Sequence, residues 1–140
     1  MAGELILIVE DNEKNLKLAR DVLHFKGFRT LEAGTAAEGI ALAAARHPDL
    51  VLMDVQLPDM TGVAALGHLR GDAATAAIPV VALTAFAMKD DRVRFLAAGF
   101  DGYLAKPIDV RQFPEQVRQF CRRAAPADRP EKPERREAAQ

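Results

Sequence analysis

Val51-Leu52-Met53-Asp54 is the stretch that decides the fold: three apolar residues without polar alternation, closed by a carboxylate. A strand that is apolar at every position is buried on both faces, as in a parallel sheet. A charge directly after it emerges at the sheet's carboxyl edge, where open α/β sheets bind ligands. The same figure recurs outward in both directions. Leu5-Ile6-Leu7-Ile8-Val9 ends in Glu10-Asp11, Val80-Val81-Ala82-Leu83 ends in Thr84, and Tyr103-Leu104-Ala105 ends in Lys106-Pro107. These runs predict strands near 5–10, 28–33, 49–54, 79–84 and 101–105. The segment 28–33 alternates apolar and polar residues and reads as an edge strand.

Helical spacing fills the gaps. Leu16, Ala19, Val22, Leu23 and Phe25 predict a helix over 15–26 with Gly27 as its stop. Thr35-Ala36-Ala37-Glu38 is a capping-box pattern and opens a helix over 35–46, ended by His47-Pro48 because proline disfavours helix in the residue before it. Further helices are expected over 61–70, 87–98 (with Gly99 after it) and 110–123, where Pro114 is tolerated only near the first turn. Strand and helix thus alternate five times. Right-handed crossovers place helices on both faces of one parallel sheet, an α/β fold. One domain is expected over 1–123. The remaining 124–140 mixes prolines with charges of both signs, lacks apolar residues to bury, and is expected to be a disordered charged tail.

The chain has 140 residues and a formal net charge of −1, which gives no electrostatic case for nucleic-acid binding. Its one cysteine, Cys121, rules out an internal disulfide or a thiolate metal cage and fits a reducing compartment; a half-buried helix position is its expected role. No apolar stretch approaches the roughly 20 residues of a membrane helix, and no signal-peptide pattern precedes the first strand. The expectation is a cytoplasmic protein. His24, His47 and His68 lie on or beside different helices without metal-ligand spacing.

Glu10, Asp11 and Asp54 converge from strands that would be neighbours. Carboxylates close together raise the cost of ionising them all, and a hard cation removes that cost. Mg²⁺ takes oxygen ligands and keeps several waters, so Asp11, Asp54 and one backbone carbonyl would be a typical protein share. Lys106 adds a mobile ammonium suited to phosphate, and a cis bond before Pro107 would aim it inward. Thr84 adds a hydroxyl at the end of the fourth strand. Gly62, after Asp59-Met60-Thr61, marks an expected tight turn that Pro58 stiffens.

The set Glu10-Asp11, Asp54, Thr84 and Lys106-Pro107, in this order from about Leu5 to Arg123, resembles the receiver domains of two-component response regulators. Ile8-Val9-Glu10-Asp11-Asn12-Glu13, Leu52-Met53-Asp54-Val55-Gln56-Leu57-Pro58 and Thr84-Ala85-Phe86-Ala87-Met88-Lys89 look like the DivK branch of single-domain cell-cycle regulators. The resemblance implies a flavodoxin-like doubly wound (βα)5 fold with strand order 2-1-3-4-5. It implies Asp54 as phosphoacceptor for a histidine kinase or phosphotransfer protein. Glu10 (directly or through water, since it stands where aspartate is commoner), Asp11, Asp54 and the main-chain carbonyl of Gln56 would hold Mg²⁺, and Thr84, the Ala85 amide and Lys106 would bind phosphoryl oxygens. Thr84 and Tyr103 would be the switch pair, with Gln56 and Phe86 shaping water access. Output would run through the fourth helix, fifth strand and fifth helix, with Phe86, Met88 and Phe95 as apolar contributors, or with Met88 and Phe95, equally, as core. Pairing of two copies through that face is one outcome it allows.

The implied protein is a phosphorylation-switched binding module, not a turnover enzyme. Without an output domain after Arg123 its signal would be read by other proteins. A haloacid-dehalogenase-type phosphatase would want a second acid where Gln56 stands. A nucleotide-binding domain would want a glycine-rich phosphate loop after the first strand. A docking module that works unphosphorylated is the other alternative.

Overall fold

The computed structural model describes residues 3–85 and 89–124. Strands β1 (Leu5–Val9), β2 (Arg29–Ala33), β3 (Leu50–Asp54), β4 (Val80–Thr84) and β5 (Gly102–Ala105) alternate with helices α1 (Glu13–Phe25), α2 (Ala36–Arg46), α3 (Gly62–Arg70), α4 (Lys89–Ala98) and α5 (Phe113–Ala124). All neighbours pair in parallel in the order β2-β1-β3-β4-β5, the flavodoxin-like arrangement expected. β2 is an edge strand, as its alternation predicts.

Alternation within each strand builds two cores. Leu7, Val9, Val51, Met53, Val80 and Ala82 pack with residues of α2, α3 and α4. Ile6, Ile8, Leu50, Leu52, Val81 and Leu83 pack on the other face with Ala19 and Leu23 of α1 and Phe113 and Val117 of α5. Every residue of β1, β3 and β4 is buried, which explains their unbroken apolar runs. Phe95 belongs to the first core: it is buried and meets Phe100 edge-on with ring centroids 5.9 Å apart. Its apolar character therefore serves packing rather than an output surface. Phe86 and Met88, and residues 125–140 of the expected tail, lie outside the described residues.

Helix ends follow local chemistry. α1 begins two residues earlier than its apolar spacing suggests, because the Asn12 side chain accepts the Lys14 and Asn15 amides. Thr35 accepts the Glu38 amide, but Glu38 reaches the Gly34 amide rather than closing the box on Thr35. His47 ends α2 in the left-handed region (φ 49°), just before Pro48. Gly27 and Gly99 take positive φ after α1 and α4, where a side chain would be strained. Asp109 accepts the Arg111 amide and caps a turn that leads into α5. Pro114 cannot donate back to Val110, so regular helix is counted only from Phe113.

At the amino end of the sheet, Arg70 joins three segments. Its guanidinium donates to the carbonyls of Ala76, Ile78 and Gly99 and to Asp101, whose carboxylate also accepts the Val80 amide. Arg70→Ala is expected to cost about 2 kcal/mol in urea unfolding, because several carbonyls lose a charged donor together. A loss below about 0.5 kcal/mol would be the surface-ion-pair result and would contradict this role. Cys121 is half-buried, and burial, then the carboxylates of Glu4 and Asp49, push its thiol up to about 12. It is a packing residue and not a reactive thiolate. Among the described residues no helix is long and apolar enough to cross a membrane.

Candidate functional site

Strand register brings the chemistry together. Val9 pairs with Met53, so Glu10 leaves β1 at the level where Asp54 ends β3. Asp54 pairs with Leu83, one residue before Thr84, and Thr84 pairs with Ala105, one residue before Lys106. The Lys106 amide donates to the Thr84 carbonyl at 2.8 Å. All of these residues therefore reach the carboxyl edge on adjacent strands.

Glu10 and Asp54 are 2% and 3% exposed, while Asp11 is open to solvent at the mouth. Glu10, Asp11 and Asp54 each present a carboxylate oxygen within 4.8 Å of the others. Lys106 Nζ lies 3.2 Å from Glu10 and 3.3 Å from Asp54 and is itself largely buried. The bond between Lys106 and Pro107 is cis, as the sequence reading anticipates. One ammonium is paired with two of three clustered carboxylates, so the cluster is short of positive charge. Burial, and then the charge of Asp54 beside it, push the Glu10 carboxyl up from its ordinary range. Three oxygen donors with excess negative charge, one of them solvent-facing, fit a hard divalent cation that keeps part of its water.

Local hydrogen bonds aim the acids. The Asn12 amide donates to Glu10 and the Gln56 amide to Asp54 Oδ1 at 3.0 Å. Gln56 stands opposite Thr61, and the bond that closes this pair runs from the Gly62 amide to the Val55 carbonyl at 2.9 Å. That leaves the Gln56 carbonyl outside the pairing. Gly62 is required for a reason other than a turn conformation: its φ is not left-handed, but a Cβ there would lie 2.7 Å from Val55 Cα and 2.9 Å from the Asp54 carbonyl oxygen. The start of α3 thus rests directly on the backbone that carries Asp54.

Thr84 is fully buried and Ala85 is exposed beside it. Tyr103 pairs with Ala82 and packs, half-buried, against the core beneath α2–α4. Thr84, two residues beyond Ala82, falls on that same sheet face, so the hydroxyl and the aromatic ring share one side of the sheet. Phe86 is outside the described residues. The residues that local patterns did not single out are Asn12, legible as a cap only once α1 begins at Glu13, and Asp59, whose carboxylate accepts the Ala36 and Ala37 amides across 23 and 22 residues of chain.

The family profile described as response regulator receiver domain matches residues 6–118. The polar-differentiation response regulator DivK of Brucella ovis is 43% identical over 115 residues, covering 82% of this chain and 94% of that protein. The receiver domain of sensor histidine kinase PA1611 from Pseudomonas aeruginosa, solved with a magnesium ion coordinated in its active site cleft, superposes with a TM-score of 0.78 at 32% identity, covering 86% of this chain and 98% of that one. A receiver domain protein from Methanospirillum hungatei does so at 0.78 and 30% identity, covering 87% and 96%. With its strand order, its acidic cluster and its lysine in place, this chain belongs to the response regulator receiver family and is a homologue of DivK.

Proposed function

We propose that Asp54 accepts a phosphoryl group from a histidine kinase or phosphotransfer protein, and that the phosphorylated chain signals by protein contact. Family membership makes the chain a phosphoacceptor signalling protein rather than a turnover enzyme. The observation that carries the proposal is a buried carboxylate held between a lysine ammonium and two further acids at a sheet's carboxyl edge. An Asp54 oxygen attacks phosphorus, an O–P bond forms, and the bond from phosphorus to the donor's nitrogen or oxygen breaks. Lys106 stands where it meets the charge on the transferring oxygens, and Thr84 and the Ala85 amide are the further donors.

Glu10, Asp11, Asp54 and the Gln56 carbonyl would hold Mg²⁺. Bound there, the ion supplies charge neutralisation to the phosphoryl oxygens. Glu10 would contribute directly or through water. The acyl phosphate is open to hydrolysis, which resets the signal, and Gln56 is exposed where it can shape water access. Thr84 and Tyr103, on one face of the sheet, are the switch pair that would carry the event to α4, β5 and α5, a face also suited to pairing of two copies. The receiver unit would span 1–123 in the cytoplasm. The DivK relatives, named for polar differentiation, favour cell polarity or division as the process.

The test is intact mass after incubation with a small acyl-phosphate donor. One phosphoryl group is expected with Mg²⁺ and none after chelation. No adduct with any donor would overturn the proposal in favour of docking without phosphorylation.

A further inference from the structure

Asp59 lies in the loop between β3 and α3, between the Gln56 carbonyl and the start of α3. Its carboxylate serves a different element. Oδ1 accepts the Ala36 amide and Oδ2 the Ala37 amide, both at 2.9 Å, so both oxygens are engaged by the first turn of α2. Those two amides hold the carboxyl below its usual range. α2 is itself fixed to the core: Ala36 and Ala43 are buried, and Gly39 sits so close to Val9 that a Cβ would come within 2.6 Å of its side chain. Thr35 satisfies a third amide, that of Glu38.

The loop is closed at its base by Gln56 opposite Thr61 and by the bond from Gly62 to Val55. Asp59 ties its far end to a rigid helix. We propose that Asp59 is a positioning residue for the metal site: by bridging α2 to the loop, it holds the Gln56 carbonyl at the height of Asp54, so that α2 helps to set divalent-cation affinity. This rests on the reading of Gln56 as a ligand. Outer partners of metal ligands commonly matter this way, because a ligand that must be ordered on binding costs affinity.

The test is calorimetric titration of Mg²⁺ into the full chain, at a temperature where every variant is folded by circular dichroism. Asp59→Ala is expected to weaken binding roughly tenfold. Asp59→Asn, which keeps one acceptor oxygen, is expected to fall between the two. Thr35→Ala also removes a cap from α2 but leaves both amides that Asp59 accepts in place, so its Mg²⁺ affinity is expected to equal that of the wild type. Faster amide exchange at positions 56, 57, 59 and 60 in Asp59→Ala, but not in Thr35→Ala, is expected alongside.

Equal affinity of Asp59→Ala and wild type would overturn the inference and leave the metal site standing. Equal losses in Asp59→Asn and Asp59→Ala that vanish at high salt would also overturn it, since they would mark a long-range charge effect. A wild type that binds no Mg²⁺ would sink the metal reading itself, and this inference with it.

Discussion

Asp54→Asn is expected to keep its unmodified mass in acyl phosphate and Mg²⁺, and in metal-free buffer at neutral pH to melt above the wild type. The first result follows from chemistry, since a carboxamide has no anionic oxygen to attack phosphorus. The second follows from the charge arrangement. In the wild type, Glu10, Asp11 and Asp54 lie together, and the Lys106 ammonium pairs with Glu10 and Asp54. Removing the Asp54 charge removes two repulsions and one attraction and leaves Lys106 paired with Glu10. The expected gain is about 1–2 kcal/mol, or roughly 3–6 °C in melting midpoint.

Two further measurements bear on the same cluster. Mg²⁺ stabilises whichever form binds it, so the gap between wild type and Asp54→Asn should narrow as the ion is added. The Glu10 carboxyl is pushed up in the folded state, by burial first and Asp54 second. The folded protein therefore binds a proton that the unfolded chain releases, and wild-type stability should rise as pH falls through that raised range. Asp54→Asn should flatten this slope. An adduct that persists in Asp54→Asn would move the phosphoacceptor elsewhere, and a lowered midpoint would show that the carboxylates do not strain one another.

Gly62→Ala is expected to damage both stability and phosphorylation. The added Cβ would meet Val55 Cα at 2.7 Å and the Asp54 carbonyl at 2.9 Å. Both are backbone atoms, with no flexible side chain to yield. Either the end of β3 shifts or α3 lifts from the sheet. Overpacking of this kind costs about 1–3 kcal/mol. A displacement of Asp54 approaching 1 Å would slow adduct formation by roughly 10- to 100-fold. Gly67→Ala, in the same helix, is the control. A Cβ there meets nothing within 4 Å, and the variant should gain about 0.5–1 kcal/mol from helix propensity. If Gly62→Ala phosphorylates at the wild-type rate, the contact between α3 and β3 does not position the acceptor.

Much of this architecture is legible in residue patterns. β1, β3 and β4 announce themselves because a strand buried on both faces has no polar position to interrupt it. The helix ends at Gly27 and Gly99, and the start at Thr35, are visible because left-handed backbone and orphan amides demand particular side chains. Glu10, Asp11, Asp54, Thr84 and Lys106 stand out because each follows its apolar run at once, and parallel strands deliver all such residues to one edge.

Distances between elements far apart in the chain carry no local signature. Asp59 looks like a turn residue, and only the approach of α2 shows both its oxygens engaged. Gly62 reads as a turn glycine, yet what it spares is a collision with the backbone under Asp54. Phe95 could have faced a partner or the core, and its packing against Phe100 places it inside. Periodicity and capping are properties of neighbours along the chain and can be read there; close approach is a property of packed elements and exists only once the sheet and its helices have come together.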